Sequence, residues 1–165
     1  MSDFLPDWYD GGYLDVEDVI CEYFSWLLGD RVYVCTWLPE DWYDPTSGQG
    51  TEPTLRIWRQ PGRADGSLRT DESLVQIAAI TRRRSDSWRL SDFVRRMMDD
   101  EVICGLGIPY KGKTVRLGSC EEWLGPQQVP EQFIDDKFIP VTFKLQVREP
   151  RGLPNYRQIV QSLPR

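Results

Sequence analysis

Ile139, Val141, Phe143, Leu145 and Val147 alternate with Pro140, Thr142, Lys144, Gln146 and Arg148. A period of two over this length puts every large apolar side chain on one side of an extended strand. Wound as a helix, the same residues would be scattered around the surface. The run therefore predicts a half-buried strand with one wet face. It also commits the chain to a sheet whose apolar side needs a second layer.

That layer is supplied by two helical patterns. Over residues 15–28, Val16, Val19, Ile20, Tyr23, Phe24 and Leu27 form one continuous stripe. Asp15 is placed as its N-cap, Glu17 and Asp18 suit the positive end of the helix dipole, and Gly29 suits the residue after its end. Over residues 88–99, Leu90, Phe93, Val94, Met97 and Met98 form a second stripe, with Ser87 as N-cap and Arg95 and Arg96 pointing away.

Three strands are expected between the helices. Arg31 to Trp37 is apolar on both faces, so both are expected to be covered. Thr54 to Gln60 follows, ended by a Pro61-Gly62 turn, and Glu72 to Arg83 completes an antiparallel hairpin. One further strand is expected near Thr114–Ser119, a break at Leu124-Gly125-Pro126, and a short helix over Asn155–Leu163. The fold class that follows is α+β: a mixed or antiparallel sheet of about four to five strands, both helices on one face, with extended arms and loops.

The 165 residues suit one domain, since a chain of this size buries roughly 70% of its unfolded surface. Residues 1–14 form an aromatic N-terminal arm, 15–148 the core, and 149–165 a Pro-rich C-terminal extension. The core carries a long loop at 38–53 and an insertion at 101–136. No stretch approaches the ~18 apolar residues that span a bilayer. The N-terminus lacks the basic and apolar regions of a signal peptide, so folding in a reducing host cytoplasm is expected.

The chemistry of catalysis is poorly represented. There is no histidine, which removes the commonest general base and metal ligand. Cys21, Cys35, Cys104 and Cys120 form no C-x-x-C pair and read as small buried hydrophobes. No nucleophile elbow or phosphate loop is present; Gly105-Leu106-Gly107 reads as a turn. The acidic groups Asp99-Asp100-Glu101, Glu121-Glu122 and Asp135-Asp136 read as solvated charges, the first at a helix C-terminus where it opposes the dipole. No catalytic residue, cofactor or metal is expected.

The features left over belong to binding surfaces. Seven Trp and seven Tyr are a heavy aromatic load, and such residues are enriched at protein–protein contacts. Trp8 lies in the arm, and Trp42 and Tyr43 lie in the long loop as anchors. The run Arg82-Arg83-Arg84 can touch DNA phosphates or pair with acids on a neighbouring subunit. The net charge of −6 argues against a general nucleic-acid binder. The strand through Leu74, Ala78 and Ile80 is apolar on both faces, and a neighbouring subunit can cover the second one.

The order and length of these elements resemble the tail terminator proteins of long-tailed (siphovirus-type) actinobacterial phages. The resemblance rests on Asp15-Val16-Glu17-Asp18-Val19-Ile20 opening a first helix, on Arg31-Val32-Tyr33-Val34 leading into Leu38-Pro39, and on Pro53-Thr54-Leu55-Arg56-Ile57. The strand from Asp71 to Thr81 running into a helix, and the closing strand Ile139 to Val147, complete it. It covers about residues 15–100 and 137–149. It implies a structural virion subunit that forms a hexameric ring on the head-proximal end of the tail tube. Such a ring stops tube polymerisation, meets the head–neck connector proteins, and lets DNA pass through its lumen. A different head–tail connector or head-closure subunit is the nearest alternative. A small enzyme and a monomeric binding module are further ones.

Overall fold

The computed structural model describes residues 4–38, 53–127 and 138–164. Its α+β architecture is a five-stranded mixed sheet in the order β1-β2-β3-β7-β6, with a separate two-stranded hairpin. The elements run α1 (Val16–Leu28), a 3-10 turn (Gly29–Arg31), β1 (Tyr33–Cys35), β2 (Thr54–Asp65), β3 (Thr70–Ile80), α2 (Arg84–Met97) and α3 (Asp100–Ile103). The hairpin strands β4 (Ile108–Tyr110) and β5 (Lys113–Val115), then β6 (Ser119–Leu124), β7 (Phe138–Arg148) and α4 (Tyr156–Ser162) complete them.

Helix α1 starts and stops where its caps require. The Asp15 carboxylate accepts from the Glu17 and Asp18 amides, and Gly29 takes φ 54°, a conformation that favours glycine. Val16, Val19, Ile20, Tyr23 and Phe24 are buried against Leu55 and Ile57 of β2 and Val75, Ile77 and Ala79 of β3. Val94 and Met98 bring α2 into the same cluster beside Val141, Phe143, Leu145 and Val147 of β7, so both long helices cover one face. The Tyr23 hydroxyl donates to the Met97 carbonyl at 2.9 Å and ties the helices together.

Several expectations are corrected. The closing strand β7 lies inside the sheet, between β3 and β6, and Pro140 and Thr142 on its supposedly wet side are buried. Pro140 is tolerated there because β6 reaches only to Thr142, leaving the proline with β3 alone as a strand neighbour. Strand β1 is a short edge whose Tyr33 is exposed, not a strand covered on both faces.

Pro61-Gly62 is not the hairpin turn. It is an irregularity within β2, which continues to Asp65. A Cβ at Gly62 would lie 2.1 Å from the Glu72 carbonyl oxygen, so only glycine lets the strands approach there. The turn itself is built on Asp65, whose carboxylate accepts from Ser67 N, Ser67 Oγ and Leu68 N.

The region expected to hold one strand contains three (β4, β5 and β6) and the short helix α3. Asp99 therefore caps the start of α3 and does not oppose the end of α2: its side chain accepts from the Glu101 amide. Asp100 accepts from the Cys120 amide at 2.9 Å, and that bond holds its pKa below the usual carboxylate value.

Candidate interaction surfaces

The Arg82-Arg83-Arg84 run sits on the tight passage from β3 into α2. Ser87, expected as the N-cap, is fully buried one turn inside the helix, and Arg83 takes the cap position. The Ser87 hydroxyl instead receives the Thr81 amide at 3.0 Å, while Thr81 Oγ1 donates to the Arg83 carbonyl at 2.7 Å. The passage is thus tied from below by two buried hydroxyls, and the three arginines are exposed above it. Arg82 rims a groove of about 420 Å³ that also includes Leu90 and Phe93.

Trp8 belongs to a second surface, where the arm meets the C-terminal extension. Tyr156, the first residue of α4, stacks on Tyr9 with ring centroids 5.6 Å apart and meets Trp8 at 6.2 Å. Its hydroxyl donates to the Gly11 carbonyl at 2.6 Å and accepts from the Asp10 amide at 3.1 Å. This clasp joins the two ends of the chain. Tyr156 was not singled out from sequence; its signal was its position beside the Asn155 cap of a short aromatic-poor helix.

The third surface is the face of the sheet away from the helices. The Arg56 guanidinium lies 4.5 Å from the Trp58 ring centroid and 5.4 Å from that of Trp37, and Trp58 meets Phe138 at 6.3 Å. Further along, Lys144 pairs with Glu72 at 3.1 Å and lies 5.5 Å from the Trp123 ring centroid. Trp37 remains 75% exposed. Aromatic residues and arginine are enriched at protein–protein contacts. Trp42 and Tyr43, and the acids Asp135 and Asp136, lie outside the described residues.

Several other polar groups serve the fold. Arg95 grips the Glu122 carboxylate at 2.7 and 3.0 Å and ties α2 to β6. Arg59 pairs with the buried Asp71 at 2.9 Å. Burial pushes the Cys21 and Cys104 thiols up to about 12, which keeps them protonated and unreactive at neutral pH. Cys120 is buried and donates its thiol to the Met98 carbonyl at 2.8 Å.

The family model of phage tail termination proteins matches residues 12–154, from just before α1 to the start of the clasp. The chain belongs to that family. No curated protein matches it. As a tail termination protein it is a structural component of the virion tail, a role that calls for assembly with tail and head–neck proteins. The match includes the β3–α2 passage and the far face of the sheet, and leaves residues 1–11 and all of α4 outside. No helix among the described residues is long and apolar enough to cross a membrane.

Proposed function

We propose that this protein closes into a ring on the head-proximal end of the tail tube of a long-tailed phage, actinobacterial by the resemblance. There it stops tube polymerisation and offers its other side to the head–neck complex. It does so as a single binding domain without catalysis, assembled from subunits made in the host cytoplasm, and leaves a lumen for the genome. Six subunits are the number the resemblance implies.

The observation that carries the reading is the separation of large exposed apolar side chains into different patches. Phe4 and Leu5 lie on the arm, Trp37 and Trp123 flank the sheet's far face, and Val160 and Leu163 lie on α4. A cyclic ring needs a heterologous contact in which two different patches of the same chain meet. Exposed apolar patches are common marks of protein contact sites.

The basic run is assigned to a contact between subunits or with the tube. Arg83→Glu combined with Arg84→Glu changes exposed side chains only and should leave the thermal unfolding midpoint within a few degrees of the parent. Ring formation or phage yield should fall at least tenfold. Normal yield from the double variant would remove the arginines from the assembly surface.

A further inference from the structure

A groove of about 1220 Å³ runs between the β4–β5 hairpin and the C-terminal end of β7, larger than the roughly 300–1,000 Å³ of small-molecule clefts. Lys113, Arg116, Arg148 and Arg151 line it and are exposed. No carboxylate is among its lining residues. Its fifth cation, Lys111, is engaged by Asp18 at 2.6 Å, but among the described residues none of the other four has an ion-pair partner. Four like charges gathered on a chain of net charge −6 repel one another until an anion joins them. The sequence conceals the cluster because its members come from two segments far apart in the chain, 111–116 and 148–151.

The groove is not purely polar. Leu14, Val115 and Leu117 also line it. Phosphate backbones need cations and no apolar lining. A peptide that carries apolar side chains between carboxylates uses both. The chain holds such a segment in Asp3-Phe4-Leu5-Pro6-Asp7. Phe4 is 77% and Leu5 51% exposed, so the tip is unseated on its own subunit. The arm is meanwhile pinned at Trp8 and Tyr9 by the clasp on Tyr156.

We propose that this basic, apolar-lined groove takes the acidic arm tip Phe4–Asp7 of a neighbouring copy, so that each subunit gives one arm and receives another. The contact is heterologous, as ring closure demands, and the identity of the occupant as a second copy rests on the ring reading above. The arm tip supplies the apolar anchors, and the Asp7 carboxylate meets Arg116 and Arg151.

The test titrates a fluorescein-labelled peptide of residues 1–10 onto the full-length protein and reads anisotropy, with sedimentation velocity of the protein alone in parallel. Saturable binding is expected, weakened at least tenfold by Arg116→Glu combined with Arg151→Glu and weakened by salt. A peptide carrying Asp3→Lys and Asp7→Lys should prefer the groove variant, a rescue that a misfolded variant cannot give. Absent binding, or binding indifferent to the groove variant, would overturn the docking even if rings sediment normally. Binding of a DNA duplex lost in the groove variant, with no peptide binding, would overturn it in favour of nucleic acid. A protein that binds the peptide as predicted yet never exceeds monomer mass would keep the groove–arm contact and overturn the ring instead.

Discussion

The two faces of the sheet are finished differently. On the helix side, Ile57, Val75, Ile77, Val141 and Phe143 are sealed beneath α1 and α2, and every large side chain there has apolar neighbours on the same chain. On the other side, Trp58, Arg56, Trp37 and Phe138 form a loose tier of rings around a guanidinium, with Trp37 left largely in water. Both faces are built from the same strands, so intrinsic strand propensity does not explain the contrast. The first face is closed by its own chain. The second retains aromatic surface of the kind proteins bury against one another. We propose that in this tail termination protein the division separates the residues that fold the subunit from those that meet its partners.

Substitutions on the two faces should accordingly move different measurements. The largest effect on stability is expected from Phe143→Ala, which opens a cavity in the sealed face. It should cost about 3–5 kcal/mol in urea unfolding, and a loss under 1 kcal/mol would mean that the face is not sealed. Tyr23→Phe keeps the ring and removes only the hydrogen bond to Met97. It should cost about 1 kcal/mol. Trp37→Ala should cost less than about 1 kcal/mol, the scale of an exposed cation–π contact. If this face is an assembly surface, it should still reduce incorporation into tails severalfold. Unchanged incorporation with a large stability loss would reverse the assignment of the two faces.

What could be read in advance follows the same line. Helix α1 was legible to its caps because Asp15 and Gly29 act through their immediate neighbours. The alternation of β7 was legible as a strand, but its wet face was not, since a period of two says nothing about what lies beyond the sheet. Pro61-Gly62 reads as a turn because that pair commonly makes one; only the approach of Glu72 shows that it is an irregularity within β2. Ser87 reads as an N-cap and Asp99 as a charge at a helix C-terminus, and the structure gives each a different place. Ser87 bonds back to Thr81, and α3 begins where α2 was thought to be ending. Of the candidate interaction residues, the arginine run is brought to an exposed passage and Trp8 to the clasp. Tyr156 and Trp37 acquire their setting only from partners distant in sequence.

The claim that this chain works by closing on itself at the end of a tail tube is tested most directly by native mass spectrometry of the purified protein, with negative-stain images of the same sample mixed with tail tubes. The account predicts a discrete closed oligomer, six subunits by the resemblance, and tubes capped at one end by a six-fold ring. A protein that stays monomeric with and without tubes, and leaves tube ends bare and still growing, would contradict it.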